Sequence, residues 1–240
     1  RQYECDREFL KLLTRRRDVD LTTVALELAR DAYPNLDFHG TFDWFQMRAE
    51  ELRGAIARAG SERDALGELC RYIAEDVGIF GDEASYDHAD GSYLHRVIET
   101  KRGIPITLAL VYMGMGERLG IDLKGVSAPM HFLTRYESID GPLFVDAFSR
   151  GRIMTRKECR RWLADLTNLS RDQVGAALRP ANARTVVIRM LNNLKAVYAR
   201  QENWLASWKV QHRLTALQPG RSSARAAIFS EVVRTNWPPR

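Results

Sequence analysis

Two residues of complementary chemistry, His131 and Asp146, stand in successive short runs of β-branched and aromatic residues, 131 to 136 and 143 to 148. A carboxylate beside an imidazole fixes the ring tautomer and raises its basicity, which suits the pair to moving a proton. Upstream, Gly103-Ile104-Pro105 opens a strongly apolar segment, 106 to 119. The start of a helix is where free amides and the helix dipole favour a thiolate. Cys-His-Asp acyl-transfer enzymes combine these parts, with the thiol at a helix N-terminus and His and Asp on neighbouring strands of a facing sheet. Residues 103 to 146 present that order.

The elements that must hold these residues are legible in outline. Segment 106 to 119 is apolar on nearly every face, with Glu117 and Arg118 clearly polar. It reads as a buried helix, started by Pro105 and stopped by Gly120. Beyond Gly120 the period changes from 3.6 to 2, and the runs 123 to 127, 131 to 136 and 143 to 148 predict a small antiparallel sheet, with Asp140-Gly141-Pro142 in a turn. Thr155 and Glu158 have the spacing of a capping box, opening a helix that reaches Leu163 or beyond. Upstream, 21 to 59 is helical in pattern with a break at Tyr33-Pro34-Asn35, and a third run from Ala65 to Val77 ends at Gly78. Residues 81 to 92 read as an ordered loop leading to a short helix, 93 to 101, capped by Ser92. After Thr185, the positions Val186, Met190, Leu194 and Val197 share a helical stripe, and Trp204, Leu205, Trp208 and Leu214 mark a second helix. A third is expected over 223 to 233. The helical pair with its adjoining third resembles a tetratricopeptide-type unit. The fold class is α+β: a helical N-terminal region at 1–80, a mixed core at 81–178, and a basic helical tail at 179–240.

Composition narrows the function. The 240 residues are 45% hydrophobic and 28% charged, an ordinary globular balance. The longest apolar run, 104 to 116, falls short of the roughly 20 residues that span a bilayer. Cys5, Cys70 and Cys159 are far apart and odd in number, so a disulfide framework is not expected and a reducing, cytoplasmic setting is. Cys70 reads as a buried small hydrophobe. His39, His88, His95 and His212 form no metal signature, and the carboxylates of 82 to 90 lack calcium-loop spacing. With no Walker or G-x-G-x-x-G loop either, no cofactor and no metal are expected. Residues 1–178 hold 25 basic against 29 acidic side chains, whereas 179–240 hold 11 against 2. The plain reading of that basic tail is a solvated face. It lacks the interleaved aromatic pattern of a nucleic-acid platform, so the expected partner is a protein engaged through the C-terminal helical region, with neither nucleic acid nor membrane.

The central motifs, RGIPITLALVYMGMGERLGI at 102–121, PMHFLTRY at 129–136 and FVDAFSRGRIMTRKECRRWL at 144–163, resemble the transglutaminase-like superfamily and, within it, the SirB-type bacterial proteins. RMLNNLKAVYARQENW at 189–204 is similar to the helical tail of that group. The resemblance implies a core of one central helix on an antiparallel sheet. Active members start the helix with G-x-C, with Ala four residues later and Gly-Ile fifteen and sixteen residues later. Gly103, Ala109, Gly120 and Ile121 match, which puts Pro105 at the cysteine's position. SirB-type proteins share this G-x-P. His131 and Asp146 then remain as a catalytic-type dyad without its thiol, and Met130 stands where relatives often have Gly. The expected function is a non-catalytic binding or scaffold protein. The alternative is an atypical acyl-transfer or amide-hydrolysing enzyme using His131 and Asp146 with another nucleophile, for which Thr107, in the first turn of the helix, is one candidate.

Overall fold

The computed structural model describes residues 5–167 and 169–218. The expected helix over 223 to 233 lies outside the described residues. Four helices come first: α1 (Arg7–Leu13), α2 (Leu21–Ala29), α3 (His39–Arg58) and α4 (Glu62–Arg71). The side chains of Asp20 and Ser61 cap α2 and α4 by accepting from free amides of the first turn. The run ending at Gly78 is helical throughout, but its last turn, Tyr72–Asp76, widens into a π-helix before Gly78 turns out at φ +79°.

Segment 81 to 92 forms two 3-10 turns, Glu83–Tyr86 and Ala89–Ser92. Ser92 does not cap the following helix, α5 (Leu94–Thr100): it closes the preceding turn, and Tyr93 takes the cap position without a side-chain bond. A short parallel pair, β1 (Phe80–Gly81) and β2 (Arg102–Gly103), leads into α6 (Pro105–Leu119). Pro105 occupies the first turn of α6, and Gly120 ends the helix at φ +75°. Eleven of the fifteen residues of α6 are buried, and it contacts α3, α4, α5 and the sheet.

Four antiparallel strands follow in sequential order: β3 (Lys124–Val126), β4 (Leu133–Ser138), β5 (Gly141–Asp146) and β6 (Arg152–Thr155). Alternation along β5 divides the sheet's two faces. Leu143 and Val145 join the main core with α6, while Phe144, with Leu133 and Met154, enters a second core under α7 (Arg156–Thr167) and α8 (Arg171–Ala177). The capping box is present, with Glu158 accepting from the Thr155 amide at 2.8 Å.

Two packed helices, α9 (Ala183–Arg200) and α10 (Trp204–Leu217), complete the description. Their stripes, including Val186, Met190, Leu194, Val210 and Leu214, belong to the same core as α2, α3 and α6. Among the described residues, several of the tail's cations are tied to the body. Arg184 donates to the Leu12 carbonyl, Lys209 to the Asp31 carbonyl, and Arg200 to the Tyr86 carbonyl. Arg213, 2% exposed, bonds Asp6 and Asp31. Among the described residues no helix is long and apolar enough to cross a membrane. The architecture is α+β, with a central helix packed on a small antiparallel sheet.

Candidate functional site

His131 and Asp146 meet. The imidazole Nε2 lies 2.8 Å from Asp146 Oδ1, and both side chains are buried, Asp146 completely. Asp146 is the last residue of β5, whereas His131 lies in the turn that precedes β4 rather than on the strand itself. That turn is held from two directions. The His131 amide donates to the Ala128 carbonyl at 3.3 Å, and Arg189 of α9 donates to the same carbonyl at 2.6 Å and to Ser127 Oγ at 3.0 Å. Met130 supplies the bend with φ +56°, a left-handed conformation that favours glycine, and its side chain is 73% exposed.

Asp146 organises its own surroundings. Its Oδ1 also accepts the Ser149 amide at 3.2 Å, Oδ2 accepts from Arg152 at 3.3 Å, and its carbonyl accepts the Gly151 amide at 2.9 Å. Burial pushes the carboxyl upward, but the hydrogen bond and charge of His131, with the bonds from Ser149, outweigh it, and the net displacement is below the usual aspartate value. The histidine ring is enclosed by aromatic edges, Trp162 at 5.1 Å and Phe148 at 6.1 Å between centroids, both nearly perpendicular to it. Arg152 covers Trp162 at 4.5 Å. The result is a fixed imidazole-carboxylate pair with an apolar lining.

Pro105 joins this assembly through backbone. Gly103 pairs with Gly81, and the Gly81 amide donates to the Phe148 carbonyl at 3.0 Å. Gly81 is required at that contact, because a Cβ there would stand 2.3 Å from the Phe148 ring. Thr107 is completely buried, and its hydroxyl has no hydrogen-bond partner among the described residues, so it bonds neither His131 nor the first-turn backbone. Neither buried thiol bonds the imidazole. Burial pushes Cys70 up to about 12, and burial with the Asp146 charge does the same for Cys159. Cys5 is exposed, ahead of α1. Trp162, Phe148, Arg152 and Arg189 were not singled out by sequence reasoning. The recoverable signal was Trp162, which follows the buried Cys159 by three residues on the inner stripe of α7.

An imidazole–carboxylate pair of this kind can bind and polarise a group, and the start of α6, with proline in its first turn, offers no sulfur. Comparison with known proteins agrees with the architecture. A family model described as the transglutaminase-like superfamily matches residues 44–192. A UPF0162 protein of Xylella fastidiosa (strain Temecula1 / ATCC 700964) is 35% identical over 207 residues, covering 85% of this chain and 74% of its own length. F-box only protein 21 of Mus musculus is 32% identical over 192 residues, 76% of this chain but 28% of that protein. A UPF0162 protein of Vibrio cholerae is 22% identical over 201 residues, 83% of this chain and 72% of the relative. No solved structure matches. The matched segment spans α6, the sheet and both members of the His131–Asp146 pair, and the chain belongs to the transglutaminase-like superfamily.

Proposed function

We propose that this chain is a non-catalytic member of its superfamily, a binding or scaffold protein that keeps the dyad and not the nucleophile. The observation that carries the reading is Pro105 in the first turn of α6. Its ring nitrogen is an amide without a hydrogen, so nothing there can store an acyl group. The buried thiols support the same reading, because burial holds both near 12, far from the thiolate range. The similarity to 28% of F-box only protein 21 fits a module that works inside a longer protein. We assign the protein-partner contact to the tetratricopeptide-like pair α9–α10, where Leu205 leaves 45% of its surface exposed at the start of α10. Three free cysteines fit a reducing, cytoplasmic setting.

The alternative, an atypical acyl-transferase or hydrolase, draws support from the intact 2.8 Å pair, since an oriented imidazole could activate a water or a substrate hydroxyl. A panel of thioesters and amides separates the two. The proposal predicts turnover no faster than buffer and no difference between the native chain and His131→Ala. Turnover that His131→Ala abolishes would establish the alternative.

A further inference from the structure

Phe80 carries a guanidinium on each face. The Arg102 Cζ lies 3.5 Å from the ring centroid and the Arg150 Cζ 3.6 Å. Those distances equal the thickness of a ring, so each carbon stands nearly on the ring normal, and the two must occupy opposite faces about 7 Å apart. Like charges that close repel one another unless an anion accompanies them. Among the described residues neither arginine has a carboxylate within ion-pair distance, unlike Arg71, Arg96 and Arg135. Arg102 is pinned in place, donating to the carbonyls of Gly78 at 2.9 Å and Lys101 at 2.8 Å. Arg150 reaches the ring from a backbone at φ +56°, a conformation disfavoured for a side chain of its kind. An aromatic ring is negative on its faces and positive along its edge. With both faces covered by cations, the positive edge of the half-buried Phe80 lies between two guanidinium groups.

We propose that Arg102, Phe80 and Arg150 form an oxyanion-binding site that takes a carboxylate or phosphate group between the two guanidinium forks at the ring edge. Planar guanidinium groups match the paired oxygens of such groups. The site adjoins the dyad without being part of it. The turn that brings Arg150 to Phe80 is anchored by Asp146, which accepts the amides of Ser149 and Gly151. A group held there therefore sits one turn from His131, whatever the dyad does.

Isothermal titration of the full chain with inorganic phosphate and, in parallel, with glutarate tests the site, and the tighter of the two identifies the anion's source. The expected result is saturable binding of at least one anion. Arg150→Gln should weaken it about ten-fold, because one charged hydrogen-bonding fork is lost. Phe80→Leu, which keeps both charges but removes the spacer, should weaken it as well, while Arg161→Gln, an exposed arginine of α7 outside the stack, should change it less than two-fold. Thermal melts of each variant confirm that it remains folded. Absence of saturable binding for both anions, or equal weakening by Arg161→Gln, would overturn the proposal.

Discussion

Asp146 has no exposed surface yet keeps its charge, because His131 and the Ser149 amide stabilise the ionised form more than burial penalises it. Its native pKa is therefore below the ordinary value of 3.8, and the native state binds fewer protons than the unfolded chain in that window. The stabilisation is complete above that value and is lost as pH falls through the lower native one. Chemical denaturation of the native chain and Asp146→Asn should show a stability gap that is constant from about pH 7 to pH 5 and narrows below about pH 4. Asp146→Ala, which leaves the His131 ring buried without its acceptor, should cost about 1–3 kcal/mol. Met130 gives the opposite expectation. Its left-handed backbone costs a non-glycine residue about 1–2 kcal/mol, so Met130→Gly, at an exposed position, should be neutral or stabilise by up to about 1 kcal/mol. A lowered denaturation midpoint would show that the bend depends on the Met side chain. Both members of the pair were legible in the sequence from their order after the central helix and from the superfamily resemblance, although His131 sits in the turn before β4 and not on the strand. The aromatic enclosure was not, since Phe148 and Trp162 reach His131 only through the turn after β5 and the packing of α7.

At the scale of elements, α6 and its flanks are the most fully encoded part of the chain. Pro105, an apolar run and Gly120 mark its start, body and end, and the helix lies within a residue of those marks. The strands were legible as runs but not in their limits: β6 was unmarked, and the β1–β2 pair, two residues each, is too short for periodicity to register. The misassigned cap at Ser92 has a physical cause, since the 3-10 turn over Ala89–Ser92 uses that residue before α5 begins. Gly81 shows what the short pair does. Gly81→Ala would drive a Cβ into the Phe148 ring and carbonyl, and should cost about 1–3 kcal/mol while displacing the ring that borders His131. The readouts are a urea midpoint and the His131 ring proton shifts, and unchanged shifts would refute the link between β1 and the dyad. Pro105→Cys asks whether the helix start still serves a thiol. The new cysteine should alkylate faster at pH 6 than Cys5, owing to the helix N-terminus and the neighbouring imidazole. Equal rates would place the dyad out of reach of α6.

Across the whole molecule, six basic residues of the tail among those described, Arg184, Arg189, Lys195, Arg200, Lys209 and Arg213, are held by hydrogen bonds within the protein. The sequence shows the surplus of arginine and lysine but not its destination, because the acceptors of Arg184, Arg200, Lys209 and Arg213 lie more than a hundred residues away. Arg213 is the clearest instance, bonding Asp6 and Asp31 from a nearly fully buried position and linking α10 to the start of α1 and the end of α2. Arg213→Leu removes the arginine from Asp31 and leaves Asp6 with Arg30 alone, and should cost about 3 kcal/mol, read as a fall in the midpoint of a single cooperative transition. Arg189 extends the same arrangement to the functional site, since α9 holds the turn before His131 through Ser127 and Ala128. The described tail helices, core and dyad are thus joined by hydrogen bonds, and the proposed reading is that this unit works without a nucleophile. Intact-mass spectrometry of the full chain after incubation with an excess of activated acyl thioester tests this most directly. An unmodified mass beyond slow labelling of exposed groups is expected, identical in the native chain and in His131→Ala. A stoichiometric acyl adduct that forms rapidly, depends on His131 and disappears in Thr107→Val or Cys70→Ser would contradict it.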